Sequence, residues 1–127
     1  MKRVLAVAAA IALVPIIGPG AASAGGGCHA DYVPDARGTS VQLKDMCFDA
    51  LVTRVAKGAN VRWTNEDGFA HNLTGAAFQW GSNVDLQSGD TIVFRFDDDG
   101  VFPYSCTIHP GMVGAVVVGT GVRSAIG

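Results

Sequence analysis

Between Met46 and Gly119 the chain is cut repeatedly by turn-forming clusters: Lys57-Gly58-Ala59-Asn60, Asn65-Glu66-Asp67-Gly68, Ser88-Gly89-Asp90 and Asp97-Asp98-Asp99-Gly100. The segments between them are short, and several alternate with period two. In Leu51–Ala56, Leu51, Thr53 and Val55 alternate with Val52, Arg54 and Ala56. Val61 and Trp63 alternate with Arg62 and Thr64, and Ile92, Phe94 and Phe96 share one face of 91–96. Residues 101–106 read as extended, with Pro103 suited to a strand entry or edge. Residues 114–119 read as a buried, valine-rich closing strand. Short strands at fairly even spacing with Gly/Asp turns predict an all-β sandwich. Trp63 and Trp80 are expected in its core.

The first stretch lies outside that pattern. Met1-Lys2-Arg3 is basic, Val4–Ile17 is apolar apart from Pro15, and Ala22-Ser23-Ala24 is a small-x-small cleavage signal. This is the layout of a secretory signal peptide over 1–24, too short for a comfortable membrane span, and no second apolar run of that length follows. The chain is therefore expected to be exported, to a periplasmic, extracellular or cell-surface location. Residues 25–45 read as a loop or extended N-terminal arm, 46–119 as the domain core and 120–127 as a tail. Lipid attachment at Cys28 would want an aliphatic residue three positions earlier, where Gly25 stands.

Removing Lys2 and Arg3 leaves seven basic side chains against eleven acidic ones, with no basic patch. Nucleic acid and anionic membrane surfaces are poor partners for such a chain. Its three cysteines are an odd number for an oxidising compartment. Cys28 and Cys47 are close in sequence and away from other metal-binding residue types, so they are expected to pair. Cys106 is left for another role.

Cys106 stands in Pro103-Tyr104-Ser105-Cys106-Thr107-Ile108-His109-Pro110-Gly111-Met112, with a histidine and a methionine at steps of three. A loop curling around one centre can aim all three there, and His71 can close the site from the opposite side. Alone, Cys106 would read as a buried thiol and Met112 as core. Together, a thiolate, two imidazoles and a weak thioether form the donor set of a blue-copper electron-transfer site. His29 has no partner motif and reads as a surface residue. Asp97–Asp99 read as a solvated turn ahead of an acidic docking patch.

Residues 103–119 resemble the C-terminal loop of the cupredoxins, with the Cys-x-x-His-x-x-Met spacing of their amicyanin-like branch. Residues 58–72, with Val61-Arg62-Trp63-Thr64-Asn65 leading to His71, resemble the upstream segment that carries the first histidine ligand. The resemblance covers about 46–119. It implies a Greek-key β-sandwich with one type 1 copper near one end, held by His71, Cys106, His109 and Met112. It implies that Asn72 ties the two ligand segments together and hydrogen-bonds near the sulfur, and that Pro110 and Gly111 keep the loop tight. It implies that His109 is the electron port, rimmed by Phe69, Ala70, Pro110, Gly111 and Val113. The expected function is one-electron transfer by a monomer meeting a redox protein such as a cytochrome, dehydrogenase or oxidase. The alternative is copper storage or delivery, against which stand only three methionines and no Met-rich run. A copper nitrite reductase or multicopper oxidase needs a second centre built from further histidines, and only His29 is left over. No serine–histidine–acid arrangement suggests a hydrolase.

Overall fold

The computed structural model describes Cys28, residues 33–82 and residues 84–121. The expected signal peptide, His29 and most of the expected tail lie outside the described residues. Among the described residues, nine strands follow one another: β1 (Val33–Arg37), β2 (Ser40–Lys44), β3 (Cys47–Phe48), β4 (Ala50–Val55), β5 (Ala59–Asn65), β6 (Thr74–Gly75), β7 (Thr91–Phe96), β8 (Gly100–Ser105) and β9 (Val113–Val118). They form two sheets, ordered β1-β4-β9-β8-β6 and β3-β2-β5-β7. The expected all-β sandwich is present, and both sheets are mixed: β1 with β4, β4 with β9 and β2 with β5 run parallel, while β5–β7 and β8–β9 are antiparallel.

The core follows from the alternation. Val41, Leu43, Val61, Trp63, Leu73, Val116 and Val118 are completely buried. Trp63 is the hub. Its ring centroid lies 5.5 Å from Tyr104 in an edge-on contact and 6.0–6.2 Å from Trp80, Phe94 and Phe96. Such pairs add about 0.5–1.5 kcal/mol each beyond the area they bury. Burial pushes the Tyr104 phenol up to about 12, so it stays neutral and serves as packing at any ordinary pH.

One expectation meets a different structure. The stretch read as a loop or arm before Met46 contains β1 and β2, and β2 is an interior strand. In β2, Val41 and Leu43 point wholly into the core while Ser40, Gln42 and Lys44 are exposed. Val41 sits beside Trp63 across the parallel pairing. Only two apolar residues mark this strand, and its partner lies about twenty residues on, so local alternation is too brief to reveal it. β2 turns into β3 through Asp45 and Met46, both left-handed at φ 53° and 57°. That backbone suits a two-residue hairpin but not the side chain of Met46. His71 follows β5, which stops at Asn65. It lies six residues beyond, pinned by a two-way backbone bridge with Leu86 (3.0 and 2.6 Å).

Pro103 takes the edge position expected of it. β9 flanks β8 on one side, but on the other β6 reaches only Tyr104 and Ser105. The expected disulfide joins Cys28 to Cys47 and ties the chain ahead of β1 to the short edge strand β3.

Candidate metal centre

The hairpin β8–β9 builds half of the centre. Its strands are in register up to Ser105 and Val113, so residues 106–112 are the connecting loop. Cys106 and Met112 stand at the base, where the Cys106 N–H donates to the Met112 carbonyl (3.0 Å). The Met112 N–H donates to the His109 carbonyl (3.1 Å), folding the tip back. Gly111, at φ 87°, makes that reversal without strain. His109 is half-buried at the tip, and Cys106 and Met112 are buried at the base.

The other half comes from the loop after β5. Asn65 is fully buried and organises this loop. Its Nδ2 donates to the carbonyls of Phe69 and Leu86 (both 2.8 Å), and its Oδ1 accepts the Asp67 N–H (2.9 Å). With the Leu86 bridge, this aims the His71 ring at the hairpin loop.

The rings converge. His71 Nδ1 lies 3.0 Å from His109 Nδ1 and 3.8 Å from Cys106 Sγ, and His109 Nδ1 lies 3.6 Å from the same sulfur. A first-row metal about 2.0 Å from two nitrogens and about 2.3 Å from a sulfur, at trigonal angles, separates nitrogen from sulfur by about 3.7 Å and the nitrogens by about 3.5 Å. The three donors already stand close to that spacing, so they fit one metal ion. Met112 is wholly buried at the base of the same loop and would supply a weak thioether as a fourth donor. Soft sulfur and imidazole together favour copper over the hard cations.

The surroundings keep this geometry. The Asn72 N–H donates to Cys106 Sγ (3.4 Å). The Asn72 side chain accepts the Thr107 N–H (2.9 Å) and donates to the Thr107 hydroxyl (2.8 Å), so it joins the segment after His71 to the segment after Cys106. Phe69 lies edge-on to His71 and tilted to His109, at centroid distances of 6.4 and 6.5 Å. Phe69 and Val113 are each at least half exposed, Pro110 and Gly111 are exposed, and Ala70 is half-buried. Ile108 is 42% exposed beside them and was not foreseen as part of the rim. Asp67 was not foreseen either, because Asp-Gly at 67–68 reads as a plain turn. It is buried, with Oδ2 2.7 Å from His71 Nε2. Burial pushes its carboxyl up, but the amides of Met46 and Asp45 and the His71 ring outweigh this and hold it below the ordinary value.

Residues 37–119 match the family model of copper-binding proteins of the plastocyanin/azurin kind. The chain belongs to the plastocyanin/azurin family. This cupredoxin is 35% identical over 123 residues to amicyanin-alpha of Methylorubrum extorquens, covering 91% of this chain and 98% of the relative. It is 40% identical over 77 residues to halocyanin of Natronomonas pharaonis, covering 56% and 47% of the two chains. Among solved structures, a purple cupredoxin from Nitrosopumilus maritimus shares the fold with a TM-score of 0.55 at 24% identity, covering 65% of this chain and all of the other. This cupredoxin is a type 1 copper electron carrier of the amicyanin kind. Among the described residues, no helix is long and apolar enough to cross a membrane.

Proposed function

We infer that this cupredoxin is an exported one-electron shuttle, with copper held by His71 Nδ1, Cys106 Sγ, His109 Nδ1 and Met112 Sδ, and that electrons enter and leave by the exposed edge of His109. The convergence of the three donor atoms within 4.8 Å of one another carries this reading. When bound, copper supplies a centre that takes up and releases a single electron. The chain supplies a ligand set that suits both oxidation states. It anchors the set at both ends, through the Cys106–Met112 backbone bond and the His71–Leu86 bridge, so little has to rearrange on transfer. The Asn72 amide removes charge from the sulfur, which favours the reduced state and tunes the potential. Around His109, Phe69, Ile108, Pro110, Gly111 and Val113 offer an apolar rim without a charged side chain. A small rim of this kind suits brief docking to a redox protein, with rapid release. The basic, apolar and small-residue segments of 1–24 support export.

The test is a visible spectrum of the chain from Gly25 onward with one equivalent of copper(II), before and after ascorbate. An intense band that bleaches and returns on reoxidation, with copper retained, supports the shuttle. A weakly coloured complex that loses copper on reduction supports storage or delivery instead. In the same assay Met112→Leu keeps the intense band, since the thiolate remains. Losing the thioether weakens the oxidised site more than the reduced one. A tenfold difference in those affinities raises the potential by about 59 mV, readable by redox titration. An unchanged potential would remove Met112 from the ligand set.

A further inference from the structure

Asp67 is the one acidic side chain buried among the described residues. A turn aspartate normally faces water, but this one commits both oxygens inward. Oδ1 accepts the Asp45 N–H (2.7 Å), and Oδ2 accepts the Met46 N–H (3.0 Å) while lying 2.7 Å from His71 Nε2. The two amides belong to the left-handed β2–β3 turn, where successive N–H groups form a small cradle for an anion. The next residue, Cys47, carries the disulfide that tethers this turn. The Asp67 N–H is fixed in turn by Asn65.

The geometry points to Asp67 as a positioning residue for the metal centre: cradled by the β2–β3 turn, its carboxylate holds the proton of His71 on Nε2. This rests on the copper ligation inferred above. An imidazole has one proton to place. With that proton on Nε2, facing a carboxylate, the Nδ1 lone pair is left free, and Nδ1 is the atom that lies among Cys106 Sγ and His109 Nδ1. In the other tautomer, Nδ1–H would point into the site and would have to be lost before any metal could bind. The same contact fixes the plane of the ring. The left-handed Met46, which local preference disfavours, gains a reason here: it brings a second amide onto the carboxylate.

Asp67→Asn keeps the shape but not the chemistry. An amide presents one oxygen and one NH2, so it cannot accept from the turn amides and from the His71 ring together. Two readouts test the role. The first is the His71 tautomer in the metal-free protein, read from long-range proton–nitrogen correlation spectra. The second is copper(II) affinity by competition with a chelator. Wild-type protein is expected to carry the proton on Nε2. Asp67→Asn is expected to shift His71 toward the Nδ1–H form and to weaken copper(II) binding about 10- to 100-fold, with far-ultraviolet dichroism unchanged. An Nδ1–H ring in the wild-type protein overturns the proposal without any variant, even if Asp67→Asn fails to fold. So does an Asp67→Asn protein whose tautomer is unchanged and whose affinity stays within about threefold of wild type. A wild-type protein that binds no copper would defeat the ligation inferred above, and the tautomer comparison would then decide the role of Asp67 alone.

Discussion

Cys106→Ser abolishes the intense visible absorption of the copper-loaded protein completely. The absorption of a thiolate–copper site arises from the sulfur, and Cys106 is the only free cysteine among the described residues. Serine keeps the size but not the acidity: a thiol ionises near pH 8.5, so a metal readily takes its thiolate, whereas an alcohol stays protonated at neutral pH. The remaining donors are two imidazoles and a buried thioether, which hold copper in a weakly coloured form. Losing a direct ligand costs more than the about 10- to 100-fold typical of a supporting hydrogen bond, so copper(II) affinity falls by more than about 100-fold. The fold survives, because Cys106 is a small residue at the mouth of a hairpin whose register is set by six strand pairs outside it. The checks are the visible spectrum, chelator competition and thermal unfolding of the metal-free variant. A Cys106→Ser protein that remains intensely coloured would mean that the sulfur donor lies elsewhere, and the ligand set would have to be rebuilt.

The centre was legible in the sequence to the extent that its residues are local. Cys106, His109 and Met112 lie within seven positions, so the loop announces its chemistry by spacing alone. His71 needed a second segment, and Val61-Arg62-Trp63-Thr64-Asn65 supplied it through its resemblance to the cupredoxin strand that leads to the first histidine ligand. What escaped was non-local. Val41 and Leu43 are buried only because β2 runs parallel to β5, and parallel pairing leaves no hairpin signature between partners. Asp67 looks like a turn residue until β2 and β3 bring two amides over it. Ile108 reads as an interior residue, yet it joins the exposed rim because the ligand loop turns it outward. The signal for β2 was present but weak: Ser40–Lys44 alternates strictly for five residues after Gly38. The pairing of Cys28 with Cys47 was legible for a chemical reason, since the metal-like spacing around Cys106 left the other two for each other.

Removing that disulfide, by Cys28→Ser with Cys47→Ser, is expected to lower stability by about 3 kcal/mol. The two cysteines are 19 positions apart, and opening a loop of this size returns that much conformational freedom to the unfolded chain. For a domain of about 100 residues each kcal/mol is worth roughly 4–8 °C, so the melting temperature falls by roughly 12–24 °C. The native side adds to this. β3 has only two residues and sits at the edge of its sheet, paired with β2 through Leu43–Phe48 and Lys44–Cys47. Without the bridge, Cys28 loses its covalent link to that edge. Both cysteines must be changed together, so that neither is left to pair with Cys106. The measurement is thermal unfolding of the metal-free protein, because bound copper stabilises the native state of either form by mass action and would mask the difference. A fall of less than about 4 °C would mean that the bridge closes a segment already ordered in the unfolded chain, and that β1 and β2 hold their places by burial of Val41 and Leu43 alone.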